Sequence, residues 1–206
     1  MFILTKLKDL VRIPPDQFHR DTVSAITHEL NVKYSNKIIP HVGLSVCIYD
    51  LLEVDEGQLR PGDGSSYINV TFRCVVFKPF VGEILTGWIK KIDSEGIRVS
   101  TLGMFDDIFI PKNMMFEGSS YSIEDKAWVW RTEDGNELYL DVNEMIRFRV
   151  EEELFVEVKP PSPKEIEEAQ QEAEAEDIEP REKISAYTIL GSCQTDGMGL
   201  VSWWDM

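Results

Sequence analysis

The sequence predicts two modules in tandem, an α+β domain over residues 1–80 and an all-β barrel over residues 81–206. Three observations predict it. The first 80 residues read as strand, helix, strand, strand, with helical apolar spacing confined to one segment. From residue 84 the apolar positions alternate in short stretches separated by Gly-bearing turns, and no convincing helix interrupts them. Between the two lies "KPFVGE", residues 78–83, which reads as a short hinge. The chain has 206 residues, 43% hydrophobic and 10% aromatic, which fits a globular protein of one or two domains.

In the first module, Ile3, Leu7, Val11 and Ile13 share one face of a strand. Pro14-Pro15 ends it, because proline donates no ladder hydrogen bond. A helix is expected from about Asp21 to Lys33, with Asp21 as N-cap and Val23, Ile26 and Leu30 at helical spacing. "VGLSVCIYDLL" is nearly continuous in apolar residues, the pattern of a strand buried on both faces. "RPGDGSS", residues 60–66, is a loop, since Pro and Gly set turn geometry. "YINVTFRCVVF" puts Ile68, Val70, Phe72, Cys74 and Val76 on one face and Asn69, Thr71 and Arg73 on the other. The helix is expected to cover one face of the resulting sheet.

In the second module, strands are expected near 84–92, 96–101 and 105–110, followed by the loop "PKNMMFEGSS". "WVW" at 128–130 and "ELYLDV" at 137–142 read as a hairpin around residues 133–136. "IRFRVEEELFVEV" is a long strand with Ile146, Phe148, Val150, Leu154 and Val156 on one face. Residues 159–183, rich in Pro and Glu and without aromatics, read as an exposed acidic insertion. A solvated spacer is its ordinary meaning; a dock for a basic partner or a modified Ser162-Pro163 site are the others. "AYTILGSC" and "GLVSWW" then restore strand character, so the chain is expected to return and close the barrel.

Charge and cysteine usage exclude several functions. The net charge is −16, but residues 1–80 are neutral, whereas residues 151–182 carry 13 acidic and 3 basic side chains, net −10. Residues 81–150, with 13 acidic and 8 basic side chains, are net −5, which opposes strong nonspecific nucleic-acid binding. Cys47, Cys74 and Cys193 lack any ligand spacing and sit among strand-like residues, so buried, reduced thiols are expected. No apolar run approaches the ~20 residues that cross a bilayer, and the N-terminus lacks the apolar core of a signal peptide, so no membrane association and a cytosolic or nuclear place are expected. His19, His28 and His41 have no zinc-ligand spacing, and adjacent Asp106 and Asp107 face opposite ways on a strand. No nucleophile elbow or phosphate loop is present, so neither a catalytic site, a metal nor a cofactor is expected.

Three stretches carry a family resemblance: "FILTKLKDLVRIPP" at the start, "PGDGSSYINVTFRCVVFKPFVGEILTGWI" across the junction and "LGSCQTDGMGLVSWW" at the end. Together they resemble the larger stalk subunit of DNA-directed RNA polymerases, a family shared by the archaeal enzymes and by RNA polymerase II, where it is subunit seven. "FRCVVFKPF" and the tryptophan-rich end are most similar to the RNA polymerase III version, subunit eight of fungal type. The resemblance covers the chain except the acidic insertion and parts of 112–140. It implies a truncated ribonucleoprotein-like tip domain (β-α-β-β) followed by an OB-fold barrel of the S-one type. It also implies an obligate heterodimer with a small helical partner, attachment to the RNA polymerase III core, contacts with initiation factors and nascent single-stranded RNA, and a nuclear location. The chain would be a non-catalytic subunit. The alternative is a free-standing S-one-type single-stranded RNA-binding protein, such as a translation or RNA-decay factor; a small hydrolase using acidic pairs has no geometry to support it.

The same resemblance assigns candidate residues. Arg60, Pro61, Gly62, Asp63 and Gly64 match the tip loop that enters the polymerase core, and Pro14-Pro15 forms a rigid corner that presents its neighbours with little entropy to lose. An ordinary Gly-rich turn is the plain reading. In the barrel, Gly82, Gly87, Gly96 and Gly103 match turns, and Ile89, Ile92, Ile97 and Val99 match the core. RNA-binding members carry an aromatic just before the central glycine, another two after it and a histidine on the third strand; here those places read Glu95, Arg98 and the stretch around Phe109. Two stacking platforms, worth ~1–3 kcal/mol per base, are therefore missing. Trp88, Lys90, Lys91, Arg98, Phe105 and Phe109 remain as a sparse cationic-aromatic patch for weak RNA binding, or as a mixed surface with Trp88 packed on a partner. Trp203 and Trp204 cannot both point inward from a strand, so one is expected at a partner interface; Trp128 and Trp130 read as core or interface.

Overall fold

The computed structural model describes residues 1–132, 135–157 and 185–204. Within them the chain divides into two compact units, Met1–Glu83 and Ile84–Met206. The predicted insertion at 159–183 lies outside the described residues.

Unit 1 contains β1 (Phe2–Ile13), α1 (Thr22–Tyr34), β2 (Lys37–Ile39), β3 (Gly43–Val54), β4 (Gln58–Leu59) and β5 (Ser66–Phe77). The sheet order is β1-β5-β3-β2, all antiparallel, with β4 paired to β5. Asp21 caps α1 by accepting from the Ser24 N–H at 3.3 Å, which satisfies one of the orphan donors of the first turn. Ala25, Ile26 and Leu30 of the helix pack with Ile68, Val70, Phe72, Cys74 and Val76, the face that alternation assigns to β5. Val23 instead points to solvent; Ala25 takes the buried place, one of the few small residues the spacing passes over.

β3 departs most from expectation. It is not buried on both faces: Tyr49 is 61% exposed and Cys47 is exposed. Register shifts between Ser45 and Cys47, Ile48 and Asp50, and Leu51 and Glu53 change which side chains face the helix, and part of the other face of the sheet is exposed, at Leu4, Leu10 and Tyr49. Cys47 is therefore not the buried thiol expected, whereas Cys74 and Cys193 are.

Unit 2 contains β6 (Ile84–Asp93), β7 (Gly96–Thr101), β8 (Phe105–Pro111), β9 (Ser119–Ser122), β10 (Ala127–Arg131), β11 (Glu137–Leu140), β12 (Met145–Phe155), β13 (Tyr187–Ser192) and β14 (Gly199–Leu200). β6, β7, β8, β13 and β12 pair in a closed ring; only β8–β13 is parallel. Ile89, Ile97, Val99, Ile108, Ile110, Phe148 and Ile189 fill its interior, fully buried. The hairpin β10–β11 forms, but with β9 it makes a separate three-stranded sheet instead of joining the ring. The Trp128 indole anchors it by donating to the Asp93 carbonyl at 3.0 Å.

β12 carries a bulge between Val150 and Glu152. Up to Val150 the expected inward set holds; beyond it the parity reverses, so Leu154 and Val156 turn outward and Phe155 stacks on Tyr187 at 4.4 Å. Gly87 also differs: it lies inside β6, not in a turn, where a Cβ would come within 2.5 Å of Val99 Cγ1.

Candidate functional site

Two surfaces, one in each unit, hold the residues singled out by sequence. In unit 1, β1 and β5 are paired along their whole length, so Arg12 stands opposite Tyr67 and Ile13 opposite Ser66. That register delivers both ends of the 60–66 loop to the Pro14-Pro15 corner. The loop closes on itself: the Arg60 N–H donates to the Ser65 carbonyl at 3.1 Å and the Gly64 N–H to the Arg60 carbonyl at 3.3 Å. Asp63 is its organiser. One carboxylate oxygen accepts from the Ser65 N–H at 3.0 Å and the other from the Tyr67 hydroxyl at 2.9 Å. Arg12 Nε lies 3.5 Å from the second oxygen and donates to the Ser65 hydroxyl at 3.0 Å.

These bonds, first that from the Ser65 N–H, then that from Tyr67, with help from Arg12 and Arg60, hold the Asp63 carboxyl below the usual range. Arg60 sits 5.9 Å from the Tyr67 ring centre. Gly62 (φ +106°) and Gly64 (φ +67°) adopt backbone that side chains resist, and a Cβ on Gly64 would lie 3.5 Å from Pro15 Cγ. Pro14, Pro15 and Arg60 to Gly64 therefore form one preorganised knob, exposed except for the half-buried Pro14. Sequence reasoning missed Arg12 and Tyr67, the two side chains that tie the knob together; their signal was the strand register, which one strand pattern alone does not give.

In unit 2, Trp88 and Lys90 point outward from β6, with Trp88 48% exposed. Lys91, Arg98 and Phe109 are cross-strand neighbours on β6, β7 and β8. Arg98 lies 5.6 Å from the Phe109 ring centre, and Lys91 Nζ is 3.7 Å from Asp93. Phe105 does not belong to this surface. It is 3% exposed and packs inside the ring against Tyr187, because the turn at 102–104 brings it in as the first inward residue of β8. The patch is thus one exposed and one half-buried aromatic ring with a short cationic row.

Trp203 and Trp204 do not lie on a strand. They end a 3-10 turn over Val201–Trp203. Trp203 is half-buried and packs against Phe116 and Trp130 within unit 2, whereas Trp204 is 50% exposed. Among the described residues no three His, Cys, Asp or Glu side chains come together to hold a metal ion. No helix is long and apolar enough to cross a membrane, among the described residues.

Comparison with known proteins follows the same division. The model of RNA polymerase III subunit Rpc25 matches residues 83–204. The SHS2 domain found in the N terminus of Rpb7p/Rpc25p/MJ0397 matches residues 8–64. The DNA-directed RNA polymerase III subunit RPC8 of Saccharomyces cerevisiae is 66% identical over 212 residues, covering 100% of both chains. The Schizosaccharomyces pombe subunit rpc8 is 44% identical over 99% of this chain and 100% of its own. The Bos taurus RPC8 subunit is 42% identical over 99% of this chain and 98% of its own.

Proposed function

The chain belongs to the family of RNA polymerase III subunit Rpc25, and from that premise we propose that it is the larger, non-catalytic stalk subunit of DNA-directed RNA polymerase III. The observation that carries the reading is full-length similarity to polymerase III subunits, spanning both units. The geometry supplies roles. The Pro14-Pro15 and Arg60–Gly64 knob enters the polymerase core: it is already ordered by Asp63, so little loop entropy remains to be lost on docking. A small helical partner covers the open sheet face of unit 1, where Phe2, Leu4, Leu10 and Tyr49 are exposed. The barrel, through Trp88, Lys90 and the Lys91–Arg98–Phe109 row, steers nascent RNA or meets initiation factors during the start of transcription in the nucleus.

A free-standing RNA-binding protein is the weaker reading. Such a barrel needs stacking rings on its outer face, and Phe105 is spent on the interior.

The test replaces Gly62 and Gly64 together with valine, at φ +106° and +67° where a β-branched residue is disfavoured. Tagged chains are recovered from cells and their companions identified by mass spectrometry. The expected result is loss of the polymerase core subunits with the small helical partner retained. Equal loss of both would assign the knob to folding, and recovery of ribosomes or nucleases with the unmodified chain would favour the free-standing reading.

A further inference from the structure

A cavity of about 720 Å³ lies between β10 and the C-terminal turn of unit 2, and neither surface above uses it. Its walls include Phe116, Trp130 and Trp204 with the charged residues Glu117, Arg131 and Asp196. The aromatic wall is fixed. Phe116 and Trp130 stack at 4.5 Å and 21°, and Trp203 packs against both, at 5.7 Å from Trp130 and 5.9 Å from Phe116. Trp130 donates its indole N–H to the Glu117 carbonyl at 3.1 Å, and Trp204 donates to the Met198 carbonyl at 3.2 Å. Both polar edges are satisfied, so what the rings still offer a ligand is π surface.

The charges are unbalanced in a useful way. Arg131 is engaged, its Nε 3.0 Å from Glu137. The Glu117 and Asp196 side chains are exposed and no ion pair or side-chain hydrogen bond to either is found among the described residues. Ring faces beside two uncompensated carboxylates are complementary to a planar cation on an apolar stem, which gains from both the ring quadrupole and the ion pair. A nucleic acid would meet the carboxylates with its own phosphates, and a purely apolar segment would strip water from them without return. The volume suits a side chain and its neighbours, not a folded domain.

We propose that this cavity binds an extended segment of a partner protein through an arginine side chain, which stacks on the exposed Trp204 face and pairs with Glu117 and Asp196. The assignment does not rest on the polymerase reading, and its test contains no polymerase. The full-length chain is titrated with a capped Gly-Ala-Arg-Ala-Gly peptide while the indole N–H resonances of Trp130 and Trp204 are followed. The same peptide with citrulline, the neutral isostere, is run beside it.

Saturable shifts in the roughly millimolar range expected of one side chain should appear with arginine only. Trp204→Ala should weaken binding roughly fivefold and Trp204→Phe should restore most of it. Glu117→Gln with Asp196→Asn should weaken it roughly tenfold. The control Asp106→Asn with Glu124→Gln removes the same charge from exposed sites outside the cavity lining and should leave binding unchanged. Equal binding of the citrulline peptide, an equal loss in the control, no saturation, or preferential uptake of a uridine hexanucleotide with shifts of the same resonances would each overturn the assignment.

Discussion

Replacing Gly96 with alanine should loosen the barrel at the start of β7. Gly96 pairs with Pro111 of β8. A Cβ there would lie 2.2 Å from the Ile110 carbonyl oxygen, 2.9 Å from Pro111 Cα and 3.0 Å from the Ile110 carbonyl carbon. All three are backbone atoms, so no rotamer change makes room. Ordinary carbon–oxygen contact begins at about 3.3 Å, so this end of β8 must withdraw by about 1 Å. That movement strains the bond from the Lys112 N–H to the Glu95 carbonyl, now 2.8 Å. Losing it costs about 1 kcal/mol, and overpacking adds about 1–3 kcal/mol. For a unit of this size the total lowers the melting temperature by roughly 10 °C or more. Gly103→Ala is the comparison: its φ is +67° but a Cβ there meets nothing within 4 Å, so only left-handed strain of about 1–2 kcal/mol applies. Calorimetry and amide exchange at Lys112 report the outcome. If Gly96→Ala melts no lower than Gly103→Ala and Lys112 keeps its protection, the close approach is not what holds β7 to β8.

Tyr34 donates to Asp9 at 2.8 Å, and burial together with that bond pushes its hydroxyl up to about 12. A raised value means the folded state holds the proton. Its stabilisation is complete below about pH 10 and lost as pH rises towards 12, so the urea midpoint should fall across that window more steeply in the unmodified chain than in Tyr34→Phe. Burial alone would raise Asp9, but hydrogen bonds from Lys33 and Tyr34 outweigh it and lower its carboxyl. Its contribution is present above about pH 4 and lost as pH falls through the folded value, a loss that Asp9→Asn should lack. Of the three cysteines, only exposed Cys47 should react quickly with a thiol reagent in the folded chain; Cys74 is buried, and burial pushes Cys193 up to about 12. A Cys47→Ser chain that still reacts quickly would refute this. Lys90→Ala should reduce the salt slope of RNA binding by about 1, whereas Trp88→Ala should weaken binding with the slope kept.

Much of the fold was legible because its signals are local. The capping carboxylate of Asp21 and the unbroken alternation from Ile68 to Val76 each depend on neighbours a few residues away. Alternation assigns faces only while the ladder is regular. One extra residue between Val150 and Glu152 reversed the assignment of Leu154, Phe155 and Val156, and nothing in "VEEELF" marks that residue. Three register shifts in β3 decide which of its side chains reach the helix, and the near-continuous apolar run does not mark them. Phe105 was misplaced for a related reason: residue type makes an aromatic a stacking candidate, but the turn before β8 decides which way it points. At the candidate site, the knob's glycines and prolines were legible as turn chemistry. Its dependence on Arg12 and Tyr67 was not, because those residues meet only through pairing across 55 positions of chain.

The sparse barrel face follows from the proposed role. Two outward rings and a short cationic row offer about one or two stacked bases at ~1–3 kcal/mol each, too little for capture from free solution. A barrel fixed beside its ligand works under other conditions: a short tether raises the local concentration to about the millimolar range, where an affinity that weak still gives partial occupancy. Under the proposed role strong binding would be harmful, since a barrel that held any single strand tightly would retard a passing transcript. Carboxylates such as Asp93, 3.7 Å from Lys91, restrain the affinity of that face. On this view the carboxylates on that face and the missing platforms are one adaptation, suited to a protein carried on a larger machine.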